Sequence, residues 1–212
     1  AARGKLMQQL VPGAMLAIPL PEKEVQLLLG KQLSLAAING PSLCVVSGII
    51  SAVEALQKQL ASQGVECRRL HTSHAFHSEM MEPILEPFIE LVKKVSRKPP
   101  QIPYLSNVTG TWITATQATD PSYWAKHLRS KIHFAQGLQQ LLKEPEQILL
   151  EVGPGRTLST LARQHPENTA QQVILTSLRH PQDRESDVEF LLTTLGKLWL
   201  SGVKVDWSGF YA

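Results

Sequence analysis

The 212-residue chain is 43% hydrophobic and 18% charged with a formal net charge of +3, the profile of a globular protein of one or two domains. Its Lys and Arg form no long basic run and no aromatic-interleaved patch, which argues against nucleic acid, and no apolar run reaches the roughly 18–20 residues of a membrane span. Cys44 and Cys67 stand apart without a disulfide framework or a C-x-x-C pair, so a reducing, cytoplasmic setting is expected.

Residues 1–13, "AARGKLMQQLVPG", are helical in character and lack an initiator Met; they read as the end of a helix begun upstream, and the chain as a fragment. From Ala14 the pattern changes every few residues. "GAMLAIPL" predicts a strand, "PEKEVQLLLG" a helix opened by Pro21 and stopped by Gly30, and "LSLAAIN" and "LCVVSG" two strands around the Gly40-Pro41 turn. "SAVEALQKQLASQG" predicts an amphipathic helix with Ser51 as N-cap, Glu54 at N3 and Gly64 as stop, and "VECRRLH" a fourth strand. The order βαββαβ over residues 14–70 is that of a ferredoxin-like unit, in which two helices cover one face of a four-stranded antiparallel sheet.

Beyond residue 70 the rhythm slows. The pattern predicts a helix from Glu79 to Val95, a break at Pro99-Pro100, a strand "IPYLSN" ending at Asn107, and a helix from Pro121 interrupted between Arg129 and Ile132. "QILLEVG" predicts a buried strand, "GRTLSTLARQH" a helix, "QQVILTSL" a strand and "RESDVEFLLTTLGKLWLSG" a helix. Strands alternating with helices indicate an α/β layer of mostly parallel strands, so residues 71–195 are expected to form the C-terminal half of a larger subdomain, with residues 14–70 as a small subdomain inserted ahead of that half. Gly153 and Gly155 in "EVGPGRTL" read as a tight strand-to-helix turn, because the spacings GxxxxGK[ST] and GxGxxG are absent.

The chemistry concentrates in "RRLHTSHAFHSEMMEPILEPF", where His71, His74 and His77 recur every three residues. Three readings compete: metal ligation, acid/base catalysis and a solvated polar loop. Residues three apart along an extended segment alternate in facing and do not converge on one ion, so no metal site is expected. A general base needs a single imidazole near a nucleophile with a partner on its other nitrogen, and His77, just ahead of a helix start, suits that role.

"TSHAFHSEMMEPI", followed by "IPYLSNVTG" and "LLEVGPGRTLSTL", resembles the acyltransferase domain of modular type I polyketide synthases, related to malonyl-CoA:acyl carrier protein transacylases. The resemblance runs from "RGKLMQ" at Arg3 to the end of the chain. It implies an α/β fold: the C-terminal part of a hydrolase-like subdomain carrying a ferredoxin-like insert, with residues 196–212 beginning the linker that follows the domain and Trp199 and Trp207 packing back on it. It also implies a ping-pong reaction, in which a serine in a G-H-S-x-G elbow takes the malonyl group from CoA and passes it to the phosphopantetheine thiol of an acyl carrier protein. No bound cofactor and no metal is implied, and the other domains of a parent synthase are expected partners.

Carried over residue by residue, the resemblance makes His77 the catalytic base and Arg3 the grip on the malonyl carboxylate, a task for which a planar, permanently charged fork is suited. His74 and Phe76 match the malonyl pattern "HAFH", in contrast to the "YASH" of methylmalonyl-selective relatives; a phenyl ring would occupy the space an α-methyl needs. Phe76 also reads as a packing aromatic, and Arg3 as a solvated charge. The backbone carbonyl of His127 is matched to the group holding the second imidazole nitrogen, and Asn107 is placed near the site or at the turn into Gly110. The nucleophile is missing: G-x-S-x-G occurs nowhere in the chain, and "GPSLC" fails at Cys44. The competing function is a non-catalytic docking piece of a synthase module.

Overall fold

The computed structural model describes residues 1–210, so Tyr211 and Ala212, the end of the expected linker, lie outside the described residues. The chain forms two compact units, Ala1–Gln140 and a second beginning at Leu141.

The first unit opens with helix α1, Ala2–Met7, and continues as β1 (Ala14–Ile18), α2 (Glu22–Leu28), β2 (Leu33–Gly40), β3 (Leu43–Gly48), α3 (Ile50–Ser62) and β4 (Arg68–Arg69). The four strands form one sheet in the order β2-β3-β1-β4, every neighbouring pair antiparallel. Two-residue periodicity sorts the side chains. Leu16, Ile18, Cys44 and Val46 meet Val25 of α2 and Val53, Leu56 and Leu60 of α3, whereas Met15, Ala17, Ala37 and Val45 face the other way, towards Phe76 and Ile132. Because both faces are covered, β1 is buried throughout, and its run "AMLAI" is apolar without alternation.

β2 carries an irregularity that matters for the site. Leu35 pairs with Val46 and Ala37 with Val45, leaving Ala36 as an extra residue. At that bulge the outer edge of β2 takes up a later part of the chain: Ile132 N–H donates to the Ala36 carbonyl at 2.8 Å, and Ile38 N–H donates to the Ile132 carbonyl at 2.8 Å.

After the sheet come a 3-10 turn, Glu79–Ile84, and helices α4 (Leu85–Lys93), α5 (Ala115–Thr119), α6 (Pro121–Arg129) and α7 (Phe134–Leu142). The helix expected from Glu79 to Val95 is thus split, since Pro83 has no N–H for an α-helical bond and the first turn tightens instead. The expected break in the next helix is present: α6 ends at Arg129, its Asp120 N-cap accepting from Ser122 N–H and Pro121 standing at its first position.

Other local expectations are corrected. Ser51 does not cap α3, which starts one residue earlier; Glu54 instead pairs with Arg69 at 2.9 Å. The segment "IPYLSN" forms no strand beyond a single bridge between Leu105 and Trp112, and Ile102 is 81% exposed. β4 pairs over only two residues.

The second unit holds β5 (Leu149–Glu151), α8 (Thr157–Gln164), β6 (Ile174–Thr176), α9 (Asp187–Leu200) and α10 (Trp207–Phe210). β5 and β6 pair in parallel through the crossover helix α8. β5 is only partly buried, not the buried strand expected. Gly153 and Gly155 take φ of 147° and 91° in the turn into α8, and the Glu151 carboxylate accepts from the N–H groups of Leu158 and Ser159. Those contacts occupy the start of α8 with the chain's own carboxylate. Trp199 and Trp207 stack edge to face at 6.1 Å and remain 54% and 38% exposed, so they pair with one another without being buried.

Candidate active site

The face of the sheet opposite α2 and α3 forms the floor of a cleft of about 470 Å³. Met15, Ala36, Ala37 and Val45 line it from the strands, Phe76, Leu128 and Ile132 from the later segments, and Arg3, His77 and His127 bring the charge chemistry. Among the described residues no Asp or Glu lines it. A cleft whose ionisable side chains are one guanidinium and two imidazoles is fitted to an anion beside a proton acceptor.

His77 is held in a strained backbone: its φ of 58° makes it the one non-glycine residue in the left-handed region among the described residues, at a cost of about 1–3 kcal/mol. Three neighbouring contacts hold that conformation. Ser78 is buried, donates to the Ala75 carbonyl at 2.6 Å and accepts from Met80 N–H at 3.2 Å. Ala75 sits so close to Gly13 that a Cβ there would lie 2.6 Å from its own, and Gly13 N–H donates to the Ser73 carbonyl. Arg129 reaches Glu79 at 3.3 Å and Glu82 at 3.0 Å, fastening the end of α6 to the 3-10 turn.

The His77 ring hydrogen-bonds through Nδ1 to the Ser130 carbonyl at 3.0 Å. A carbonyl can only accept, so Nδ1 carries the proton and Nε2 keeps its lone pair for a substrate proton. Sequence matching assigned this acceptor to the His127 carbonyl. The hydrogen bond instead goes to Ser130, just past the end of α6, where Ile132 is stitched to the β2 bulge; the His127 carbonyl acts on the ring in the same sense but more weakly. Burial lowers the proton affinity of His77 below the ordinary 6.5, the two carbonyls oppose that shift, and the nearby His127 imidazole and Arg3 guanidinium reinforce it. The His77 imidazole is therefore neutral at neutral pH.

The other matched residues separate. Phe76 and Arg3 line the same cleft as His77, Arg3 from the exposed face of α1 with no ion-pair partner among the described residues. His74 is buried away from it: its Nε2–H donates to the Leu10 carbonyl at 3.2 Å and its Nδ1 accepts from Ser73 at 2.8 Å, so it secures the loop to the turn that follows α1. Asn107 is exposed and outside the cleft lining; its carbonyl accepts from His133 N–H, and the adjacent Ser106 makes the turn, accepting from the N–H groups of Val108 and Thr109. His71 is exposed, so the three histidines of the cluster occupy three different environments and do not converge. Among the described residues no group of three His, Cys, Asp or Glu side chains could hold a metal ion.

Ala36 and Ala37 carry no local signal that marks them as cleft floor, because small apolar residues in a strand look alike on either face. Asn39, which also lines the cleft, was recognisable only as a residue before a Gly-Pro turn. Cys44, in the near-miss "GPSLC", lies under α2 and α3, where burial and Glu22 push its thiol up to about 11, so it is protonated at neutral pH and unsuited to act as a nucleophile.

Known proteins resemble this chain in sequence and in fold. The acyl transferase domain family matches residues 1–205. Over 213 aligned residues, 100% of this chain and 10% of the relative, the chain is 39% identical to phenolphthiocerol synthesis polyketide synthase type I Pks15/1 of Mycobacterium marinum. It is 35% identical over its full length to polyketide synthase GfsA of Streptomyces halstedii, of which it covers 3%. Among solved structures, the acyltransferase domain of SpnD in complex with 2-(pent-4-yn-1-yl)malonyl superposes with a TM-score of 0.88 at 38% identity, over 94% of this chain and 48% of that one. The acyltransferase domain from the second module of the salinomycin polyketide synthase gives 0.89 at 36%, over 100% and 50%. The chain thus spans about half the length of these solved domains. Alike in sequence and in fold, the chain belongs to the acyltransferase domains of modular type I polyketide synthases.

Proposed function

We propose that the cleft selects a malonyl group from malonyl-CoA and that the domain delivers it to the phosphopantetheine thiol of an acyl carrier protein, within a synthase whose other domains are its partners. The observation that carries this reading is the company of His77: Arg3 in the same cleft, with no acidic side chain among the described residues lining it. The SpnD relative, determined in complex with a substituted malonyl group, supports a dicarboxylic acyl donor. No serine of this chain stands in a G-x-S-x-G turn, so the acyl-carrying serine belongs, in this reading, to a segment outside the 212 residues.

The chemistry follows from the tautomer. Nε2 of His77 takes the serine proton as the hydroxyl oxygen attacks the thioester carbonyl; the tetrahedral intermediate collapses and the CoA sulfur leaves with that proton. The carrier thiol then attacks the acyl-serine, giving its proton to Nε2, and the serine oxygen recovers it on leaving. Arg3 pairs with the malonyl carboxylate throughout. Phe76 borders the space beside the acyl α-carbon.

Selectivity provides the test. In a polypeptide joining this chain to a G-H-S-x-G segment, Phe76→Ser is expected to raise methylmalonyl transfer about tenfold relative to malonyl, the range one methyl commands by fit alone. The readout is the mass of the acylated carrier after competition between the two CoA esters. An unchanged product ratio removes Phe76 from selection, and a polypeptide that transfers neither acyl group removes the proposed function.

The pH profile is a second test. Because burial holds the His77 proton affinity below 6.5, the neutral base persists as pH falls through that value. The acid limb of kcat/KM for acylation, measured at malonyl-CoA concentrations well below KM so that it reports the free chain, is expected below pH 6.5. A limb at or above 6.5 would mean that the base is solvated.

A further inference from the structure

We infer that the His127 side chain is a second recognition group for the free carboxylate of the acyl donor, reaching the cleft from α6 while Arg3 reaches it from α1. The inference rests on the malonyl reading of the cleft and assigns a task to a side chain whose backbone alone was implicated by sequence matching.

The ring of His127 lines the cleft, half-buried, between two aromatic neighbours: His77 at 6.1 Å and 75°, and Trp124 at 6.4 Å and 46°. Trp124 has its own partner, donating from Nε1 to the Ala118 carbonyl at 3.1 Å. Neither ring nitrogen of His127 has a hydrogen-bond partner among the described residues. A half-buried imidazole whose polar atoms are unused inside a protein cleft has its donor available for a ligand.

The surroundings identify the ligand's charge. From other elements Arg3 and His77 face His127; on its own helix Lys126 is exposed and Arg129 is engaged by Glu79 and Glu82; Lys131, beyond the helix end, is engaged by Glu22 at 2.6 Å. Burial and the Arg3 charge both lower the proton affinity of His127, so the imidazole meets its ligand neutral, with one N–H to donate. An anion at Arg3 offsets that guanidinium charge and improves both groups as partners.

Position separates the acyl carboxylate from the phosphates of CoA. In a malonyl thioester the carboxylate is one carbon from the carbonyl that His77 serves, and the His127 ring lies 6.1 Å from the His77 ring. The phosphates stand a full pantetheine arm away. A group this close to the base meets the acyl end of the donor.

The test uses the polypeptide joined to its serine segment and compares malonyl-CoA with acetyl-CoA, which has no free carboxylate. His127→Phe keeps a ring against Trp124 without a donor; it is expected to raise KM for malonyl-CoA about tenfold with a smaller change in kcat, as loss of a charge-assisted bond does. Acetyl-CoA transfer should fall less than about threefold, and His127→Gln, which retains an N–H, should bring the malonyl KM to within about threefold of wild type. An unchanged malonyl KM in the phenylalanine variant overturns the inference, as do equal losses for both donors or a glutamine variant no better than phenylalanine. Should His127→Phe fail to fold by circular dichroism, His127→Leu takes its place with the same outcomes. Failure of wild type to load malonyl at all sinks the underlying reading, whereas a wild type that loads and variants that match it sink this inference alone.

Discussion

Replacing His77 by alanine, in the polypeptide that restores a G-H-S-x-G serine, is expected to slow acyl-serine formation by about 10² to 10⁴, the ordinary worth of a positioned general base. The His77 imidazole has a lone pair fixed on Nε2, because Nδ1 is committed to Ser130 and Nε2 is not. The fold should survive the change, since the ring lines a cleft and, besides its bond to Ser130, the strained backbone is held by Ser78, Ala75 and the Arg129 fork. Alanine should relieve little of that strain, because a left-handed φ disfavours any residue with a Cβ. Burst-phase mass spectrometry of the acyl-serine measures the step directly. A rate within a few fold of wild type would place the base elsewhere.

Arg3→Ala is expected to reduce malonyl transfer by about tenfold to more than a hundredfold, the equivalent of a lost charge-assisted pair of about 1.5–3 kcal/mol. Among the described residues no carboxylate lines the cleft to occupy the guanidinium, so its removal leaves an incoming carboxylate without a cationic partner. Acetyl transfer should fall much less, and that difference separates recognition from folding. Arg3→Lys should recover only part of the loss, because an ammonium cannot offer the two-pronged geometry. Equal losses for both acyl groups would mean that Arg3 supports α1 and not the substrate.

The arrangement of the small sheet was legible because each element was bracketed. Pro21, Gly30, Gly40-Pro41 and Gly64 punctuate alternating and helical periods, and the βαββαβ order then limits the topology to one familiar form. Local pattern gives way where a tertiary partner competes for the same side chain or strand edge. Ser51 and Glu54 spell a capping box, yet Glu54 has a cross-element partner in Arg69 and the helix begins at Ile50. "IPYLSN" has the composition of a strand, but no strand among the described residues lies beside it to supply a ladder.

The site was legible in its side chains and opaque in its backbone. Phe76 and His77, far along the chain from Arg3, were read with it from motifs, and all three line one cleft. Ser130 could not be found this way, because any residue there supplies the same carbonyl and the choice is made by the stitching of Ile132 to the β2 bulge. His74 shows the converse: a motif residue whose polar side chain serves the loop, through Ser73 and Leu10.

The most direct test of the cleft as half of an acyl-transfer site is the intact mass of the chain after incubation with malonyl-CoA, alone and joined to a G-H-S-x-G segment. The joined polypeptide is expected to take up one malonyl group per chain, on the elbow serine, and the 212-residue chain by itself none. A malonyl ester on any serine of the 212 residues, or a folded joined polypeptide that stays unacylated, would contradict the assignment.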